Sequence, residues 1–203
     1  MVLSNADLAT DFAKQLATIQ GGIEERCDTL EDVSNQVESI PRIRRAVPED
    51  AAGIVAVLGV VAAERIHSAI DRVWSVEDER RYMEALSPRE AIHVVVDEAR
   101  GIVGLQILDR WSAILESMAH VGQVGTFLLP EWRGVGVGLQ LWNVSLGFAR
   151  DTRYRKLVIY VRGSNTRARA FYRHLGFQDC GRLARQVIID GVEDDEVLME
   201  LFL

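Results

Sequence analysis

The stretch Thr126-Phe127-Leu128-Leu129-Pro130-Glu131-Trp132-Arg133-Gly134-Val135-Gly136-Val137-Gly138 puts three alternating glycines where a strand-like run passes into a helical one. Upstream, residues 119–128 read as a strand. Downstream, Val137, Leu141, Val144 and Phe148 recur at helical spacing and predict a helix over 136–151. Glycine lets a backbone come close to a ligand and aim several N–H groups at one point. The first turn of a helix adds unpaired donors and a partial positive charge. Together they suit a diphosphate. Two well-known phosphate loops are excluded. Gly138 is followed by Leu139-Gln140 rather than the Lys-Ser/Thr of a P-loop. The dinucleotide pattern G-x-G-x-x-G fails because residues 139 and 141 are both leucine.

Working outward, residues 91–96 and 101–108 predict two strands around a turn at 97–100. After the central helix, the apolar run 157–161 suits a strand buried on both faces. A short helix over 166–175 follows, stopped by Gly176. The chain closes with a hairpin, 182–189 and 196–203, around Asp190-Gly191. Before the first pair of strands come a short strand at 42–47, a helix from Pro48 to about His67, and a helix capped by Ser75. This order gives an α+β fold with a mixed, largely antiparallel sheet flanked by helices. Strand, glycine turn, helix and next strand should form a right-handed crossover. Residues 1–40 carry two apolar stripes, through Leu8, Phe12, Leu16 and Ile19 and through Cys27, Leu30, Val33 and Val37, and predict an N-terminal helical extension. Packing on the main domain, a regulatory role and homodimerisation are its open readings.

Arg133-Gly134-x-Gly136-x-Gly138, preceded by Leu-x-Pro, resembles the acyl-CoA loop of the GNAT superfamily of N-acetyltransferases. Further marks follow in order: Arg162-Gly163-Ser164-Asn165, then Ala168, Phe171-Tyr172 and Leu175-Gly176-Phe177. The resemblance covers about residues 42–203 and implies a GNAT domain over 41–203, with residues 1–40 as the extension.

It also implies chemistry. Acetyl-CoA would be the cosubstrate and a primary amine the acceptor, with direct attack in a ternary complex. The backbone of Thr126, Phe127 and Leu128 would pair with pantetheine, and the Leu128 N–H would face the thioester oxygen. Arg133, Gly134, Val135, Gly136, Val137 and Gly138 would hold the diphosphate, with Arg133 adding a charged contact. Asn165 would cap the short helix and touch the cofactor. Tyr172 would protonate the departing thiolate. The strand position where some members carry a glutamate base is Tyr160 here. Glu116, His120 and His67 are candidate bases by location only. Trp74, Trp111 and Tyr82 are candidates to line the acceptor pocket. A rival reading, motivated by the missing glutamate and the extra helices, is a module that binds acetyl-CoA without transferring it.

Composition narrows the field. The net charge of the 203 residues is −7. Residues 1–40 hold eight acids against two bases, so −6 of it lies there and −1 elsewhere. A nucleic-acid partner is not expected, because phosphate contacts need a basic surface. No run nears the ~18 uninterrupted apolar residues of a membrane span, and Asp7 and Asp11 sit where a signal peptide would need a positive start and an apolar run, so a cytoplasmic location is expected. Cys27 and Cys180 lack metal-site spacing. No metal is expected, and both thiols are read as free and buried.

Overall fold

The computed structural model describes residues 41–203. The expected helices over 1–40 lie outside the described residues.

Seven strands form one sheet: β1 (Arg42–Arg45), β2 (Ala91–Asp97), β3 (Gly101–Arg110), β4 (Val121–Leu128), β5 (Lys156–Arg162), β6 (Gln178–Ile189) and β7 (Val192–Phe202). Their order across the sheet is β1-β2-β3-β4-β5-β7-β6. Every pairing is antiparallel except β4 with β5, which a crossover joins in parallel. Among the described residues, four α-helices cover it: α1 (Ala51–Ala63), α2 (Val76–Ala85), α3 (Val137–Asp151) and α4 (Thr166–His174). The expected α+β class and element order are therefore observed.

Local chemistry explains the boundaries. Ser75 caps α2, its hydroxyl accepting from the Asp78 N–H at 3.1 Å. Asp97 closes the β2–β3 turn by accepting from the amides of Ala99 and Arg100 at 3.0 and 2.8 Å. Asp190 and Gly191 have φ of +53° and +77°, the left-handed pair that a tight two-residue hairpin turn needs.

One core packs α1 and α2 on one face of the sheet through Ile54, Val57, Met83, Ile92, Val94 and Leu105. On the opposite face, α3 and α4 bury Trp142, Tyr172 and Phe177 against Leu157, Ile159 and Met199.

Four expectations need correction. The first helix ends at Ala63, not near His67, because Arg65 turns into the left-handed region at φ +59°. It also opens with a 3-10 turn at Pro48–Asp50 before the α-helix begins. The buried stripe of α3 is Val137, Leu141, Trp142, Ser145 and Ala149, while Val144 is exposed. The stripe is rotated because Trp142 turns into the core with Ala149, and buried His93 gives Ser145 Oγ a polar partner at 2.9 Å. Finally, Cys180 is exposed, since it lies on β6, which has only one neighbouring strand.

Candidate functional site

The parallel pairing of β4 and β5 is short. It joins Val121 to Lys156, Gly122 to Leu157 and Gln123 to Val158, and then stops. Beyond it each strand keeps only its outer partner, β4 with β3 to Leu128 and β5 with β7 to Arg162. The two strands splay, and a cleft of about 650 Å³ opens between them. Residues 123–128 of β4, Ile159–Arg162 of β5, Glu196, Asn165, Arg167, Tyr172 and the glycines of the turn all line it.

Backbone alternation orients β4. The Leu129 N–H donates to Val103 O on the β3 side at 3.0 Å. Amides alternate in direction along a strand, so Leu128 and Thr126, beyond the last β4–β5 pair, present theirs to the cleft. The Leu128 carbonyl accepts from Arg133 Nε at 2.8 Å.

The glycine turn supplies donors. Gly134 and Gly136 have φ of +79° and +90°, and Gly136 is the N-cap of α3. Such angles cost a side-chain-bearing residue strain, which is why glycine stands there. Among the described residues, the amides of Gly134, Val135, Gly136, Val137 and Gly138 have no acceptor. The side chain of Val135 is exposed and that of Val137 is buried against α3's neighbours, so both contribute only main chain to the turn. A β-carbon on Gly134 would lie 2.3 Å from Arg167 Nη2. Arg167 thus places a guanidinium over the turn, and it has no ion-pair partner among the described residues. Five free amides beside an unpaired cation fit a diphosphate.

Arg133 is differently engaged. Its two terminal nitrogens form a bidentate pair with Glu64 at 2.8 and 2.6 Å, and the pair holds the Glu64 carboxyl below its ordinary range. Together with the Leu128 contact, this pins the start of the turn to the end of α1. Asn165 has both ends of its amide in use. Its Oδ1 accepts from the Ala168 N–H at 3.0 Å, capping α4, and its Nδ2 donates to His67 O at 2.9 Å. Arg162 donates to Arg65 O at 2.9 Å and to Asp194 at 2.8 Å. The α1–α2 loop is thereby tied across the cleft to β5 and α4.

Tyr172 sits on α4 with its ring buried, edge-on to Phe171 and Phe177. Its hydroxyl is 2.9 Å from Thr126 Oγ1, which also accepts from Gln106 Nε2 at 2.7 Å. Burial pushes the phenol up to about 12, with the Thr126 bond pulling the other way. Thr126 Oγ1 thus accepts from both Tyr172 and Gln106, which fixes the phenol at the cleft wall with its proton directed at the threonine oxygen.

The face towards α1 and α2 carries other groups. Paired and alternate residues share a face, so Tyr160, Arg162, Glu196 and Leu198 lie together there. Trp111 stacks on Tyr160 with ring centres 5.8 Å apart and an interplanar angle of 15°. Among the candidate bases, His67 lines the cleft, whereas Glu116 and His120 do not. His120 is at the closed end of the strand pair, its carbonyl accepting from Arg155 and Lys156. Tyr82 donates to Asp109 at 2.5 Å and Trp74 stands edge-on to Tyr82, both away from the cleft lining. Arg167 and Glu196 were missed by sequence reasoning. Their one available signal was position, two residues after Asn165 and directly across from Arg162.

A sequence model of the Acetyltransferase (GNAT) family matches residues 62–177, which span the strand gap, the glycine turn and α4. The chain belongs to this family, whose cosubstrate is acetyl-CoA. A protein of Archaeoglobus fulgidus, described as an uncharacterized N-acetyltransferase, is 35% identical over 98 residues. That match spans 47% of this chain and 66% of the relative's length. Among solved structures, a phosphinothricin acetyltransferase from Sinorhizobium meliloti in complex with acetyl-CoA superposes with a TM-score of 0.73 at 20% identity, covering 80% of this chain and 88% of its own. A ribosomal-protein-alanine N-acetyltransferase from Brucella melitensis gives 0.73 at 20%, covering 80% and 99%. At such identities the likeness is one of fold. Among the described residues, no helix is long and apolar enough to cross a membrane.

Proposed function

We propose that this chain transfers the acetyl group of acetyl-CoA to a primary amine of a small molecule or peptide, by direct attack within a ternary complex. The observation that carries the reading is the coincidence of three things in one cleft: a strand gap, five unpaired turn amides and a buried tyrosine on the adjoining helix.

In this reading the amides of Gly134 to Gly138 and the Arg167 guanidinium take the diphosphate. Arg133 holds the turn in shape through Glu64 and through its bond to the Leu128 carbonyl. The pantetheine arm lies along Thr126, Phe127 and Leu128, where β4 keeps β3 but has parted from β5. Asn165 fixes the start of α4, which sets the height of Tyr172. The Leu128 N–H meets the oxygen that gains charge when the amine attacks, and a fixed donor there lowers the barrier.

Tyr172 gives its proton to the sulfur as the carbon–sulfur bond breaks. A phenol held near 12 parts with it reluctantly. The new amide nitrogen still carries an excess amine proton, however, and is far more acidic, so it restores the phenol. Tyr172 ends each turnover as it began.

The test is isothermal titration with acetyl-CoA, followed by an amine panel read as free CoA with a thiol reagent. Saturable binding and amine-dependent thiol release are expected. Binding without release from any amine would favour the acetyl-CoA-binding module, and no binding at millimolar acetyl-CoA would remove both readings.

A further inference from the structure

Glu196 is the acid that the strand gap leaves without a partner. It projects from β7 directly across from Arg162 in the sheet, and its carboxylate lines the cleft. It makes no hydrogen bond or ion pair among the described residues, unlike its neighbours Asp194 and Asp195, which hold Arg162 and Arg182. Its neighbours in the sheet are Arg162 and Tyr160 on β5 and Leu183 on β6, and His67 lines the same cleft. Arg162 is committed to Asp194 and Arg65 O, so its charge is already balanced. Burial raises the Glu196 carboxyl above its ordinary range, making it a stronger base than a solvated one.

The cations of the cleft are disposed unequally. Arg133 is neutralised by Glu64, Arg162 by Asp194, and Arg167 stands over the glycine turn. Among the described residues, the Tyr160 side thus has a free carboxylate and no uncommitted guanidinium. A substrate entering there gains by bringing a positive charge and loses by bringing a negative one next to it.

Resting on the acetyl-transfer reading above, we infer that Glu196 receives the acceptor as an ammonium ion, takes its first proton, and selects amines that carry no carboxylate beside the nitrogen. The proton count closes. The ammonium passes one proton to Glu196, which later returns it to solvent. The neutral nitrogen bonds to the acetyl carbon, the carbon–sulfur bond breaks, and sulfur leaves with the Tyr172 proton. The nitrogen's second excess proton then goes back to Tyr172. The Trp111–Tyr160 stack at the same face suits an acceptor with an apolar or aromatic body.

The experiment compares the full-length wild type with Glu196→Gln on three acceptors at pH 7: 2-phenylethylamine, phenylalanine, and methoxyamine, whose nitrogen is already neutral. Acetyl-CoA affinity is measured for both proteins. Wild type should favour phenylethylamine over phenylalanine at least tenfold in kcat/KM. Glu196→Gln should lower kcat for phenylethylamine about a hundredfold, within the usual span of general-base catalysis. It should keep methoxyamine turnover and acetyl-CoA affinity within about threefold of wild type by the same reasoning. Equal loss on both amines, loss on neither, or a preference for phenylalanine would overturn the inference. So would wild type that binds acetyl-CoA but acetylates no protonated amine, whereas failure to bind acetyl-CoA would sink the underlying reading itself. A destabilised Glu196→Gln protein would betray itself by losing acetyl-CoA affinity, and Glu196→Asp, which keeps the carboxylate, should then recover phenylethylamine turnover if the inference is right and fail to if it is wrong.

Discussion

Replacing Tyr172 by phenylalanine separates its chemistry from its packing. The ring makes edge contacts with Phe171 and Phe177 at 5.3 and 5.4 Å, and the substitution keeps them. It removes one hydrogen bond, the 2.9 Å contact to Thr126, but Thr126 keeps its bond from Gln106 at 2.7 Å. No buried acceptor is orphaned, so the stability cost should be that of a single net hydrogen bond, about 1 kcal/mol. In a domain of this size that lowers Tm by about 2–4 °C. The catalytic cost is of another order. A general acid contributes about 10²–10⁴ in rate, which at 1.36 kcal/mol per decade is about 3–5 kcal/mol. Turnover, read as free CoA at saturating amine, should fall at least a hundredfold, while acetyl-CoA affinity by calorimetry stays nearly constant. Burial holds the phenol up at about 12, so it remains protonated through the working range. Wild-type kcat should accordingly show no alkaline fall from this group below pH ~11. A Tyr172→Phe protein that keeps kcat within about threefold of wild type would refute the acid role and leave Tyr172 a packing residue.

Three further outcomes are expected. A β-carbon on Gly136 meets nothing within 4 Å, so the only obstacle is its φ of +90°; Gly136→Val should cost about 1–2 kcal/mol of strain and weaken acetyl-CoA binding in titration, while Gly136→Asn, which tolerates that conformation, should retain more of it. Arg167→Ala should weaken acetyl-CoA binding about tenfold at low salt, with the difference shrinking as ionic strength rises; an unchanged dissociation constant would remove Arg167 from the diphosphate site. Buried His93 is pushed down to about 4 by burial and by Arg45, against about 6.5 when unfolded. Its contribution is therefore complete above pH ~6.5 and is lost as pH falls through 4, worth about 3 kcal/mol in urea unfolding; His93→Asn should flatten that acid limb.

Why some of the site was legible and some was not follows from chain distance. The glycine turn, Asn165 and Tyr172 are marked by local pattern. Three glycines at alternate positions report backbone conformation directly, and seven residues from Asn165 to Tyr172 put both on one side of a helix whatever it packs against. The α3 stripe misled because hydrophobicity ranks Val144 above Ser145 and Ala149. Trp142 and Ala149 turn inward beside Ser145, and buried His93 supplies the polar partner that makes Ser145 tolerable there. Glu64 with Arg133, and Asn165 with His67 O, join residues 69 and 98 positions apart. No periodicity reaches so far.

Arg167 and Glu196 show the same limit for charge. Arg162, Arg167, Arg169 and Arg173 look alike in sequence, yet Arg162 is bound by Asp194, and Arg169 and Arg173 by Asp179. What distinguishes Arg167 is the absence of a carboxylate within reach, a property of the fold and not of the residue. The same subtraction distinguishes Glu196 from Asp194 and Asp195. A charged group that folding has left unpaired in a cleft keeps its full field for whatever enters, because no protein partner has spent it. The cleft holds one such cation over the glycine turn and one such anion beside Tyr160. In the proposed reading, that polarity would set the direction in which an anionic thioester and a cationic amine approach each other, with their reacting atoms near Leu128 and Tyr172.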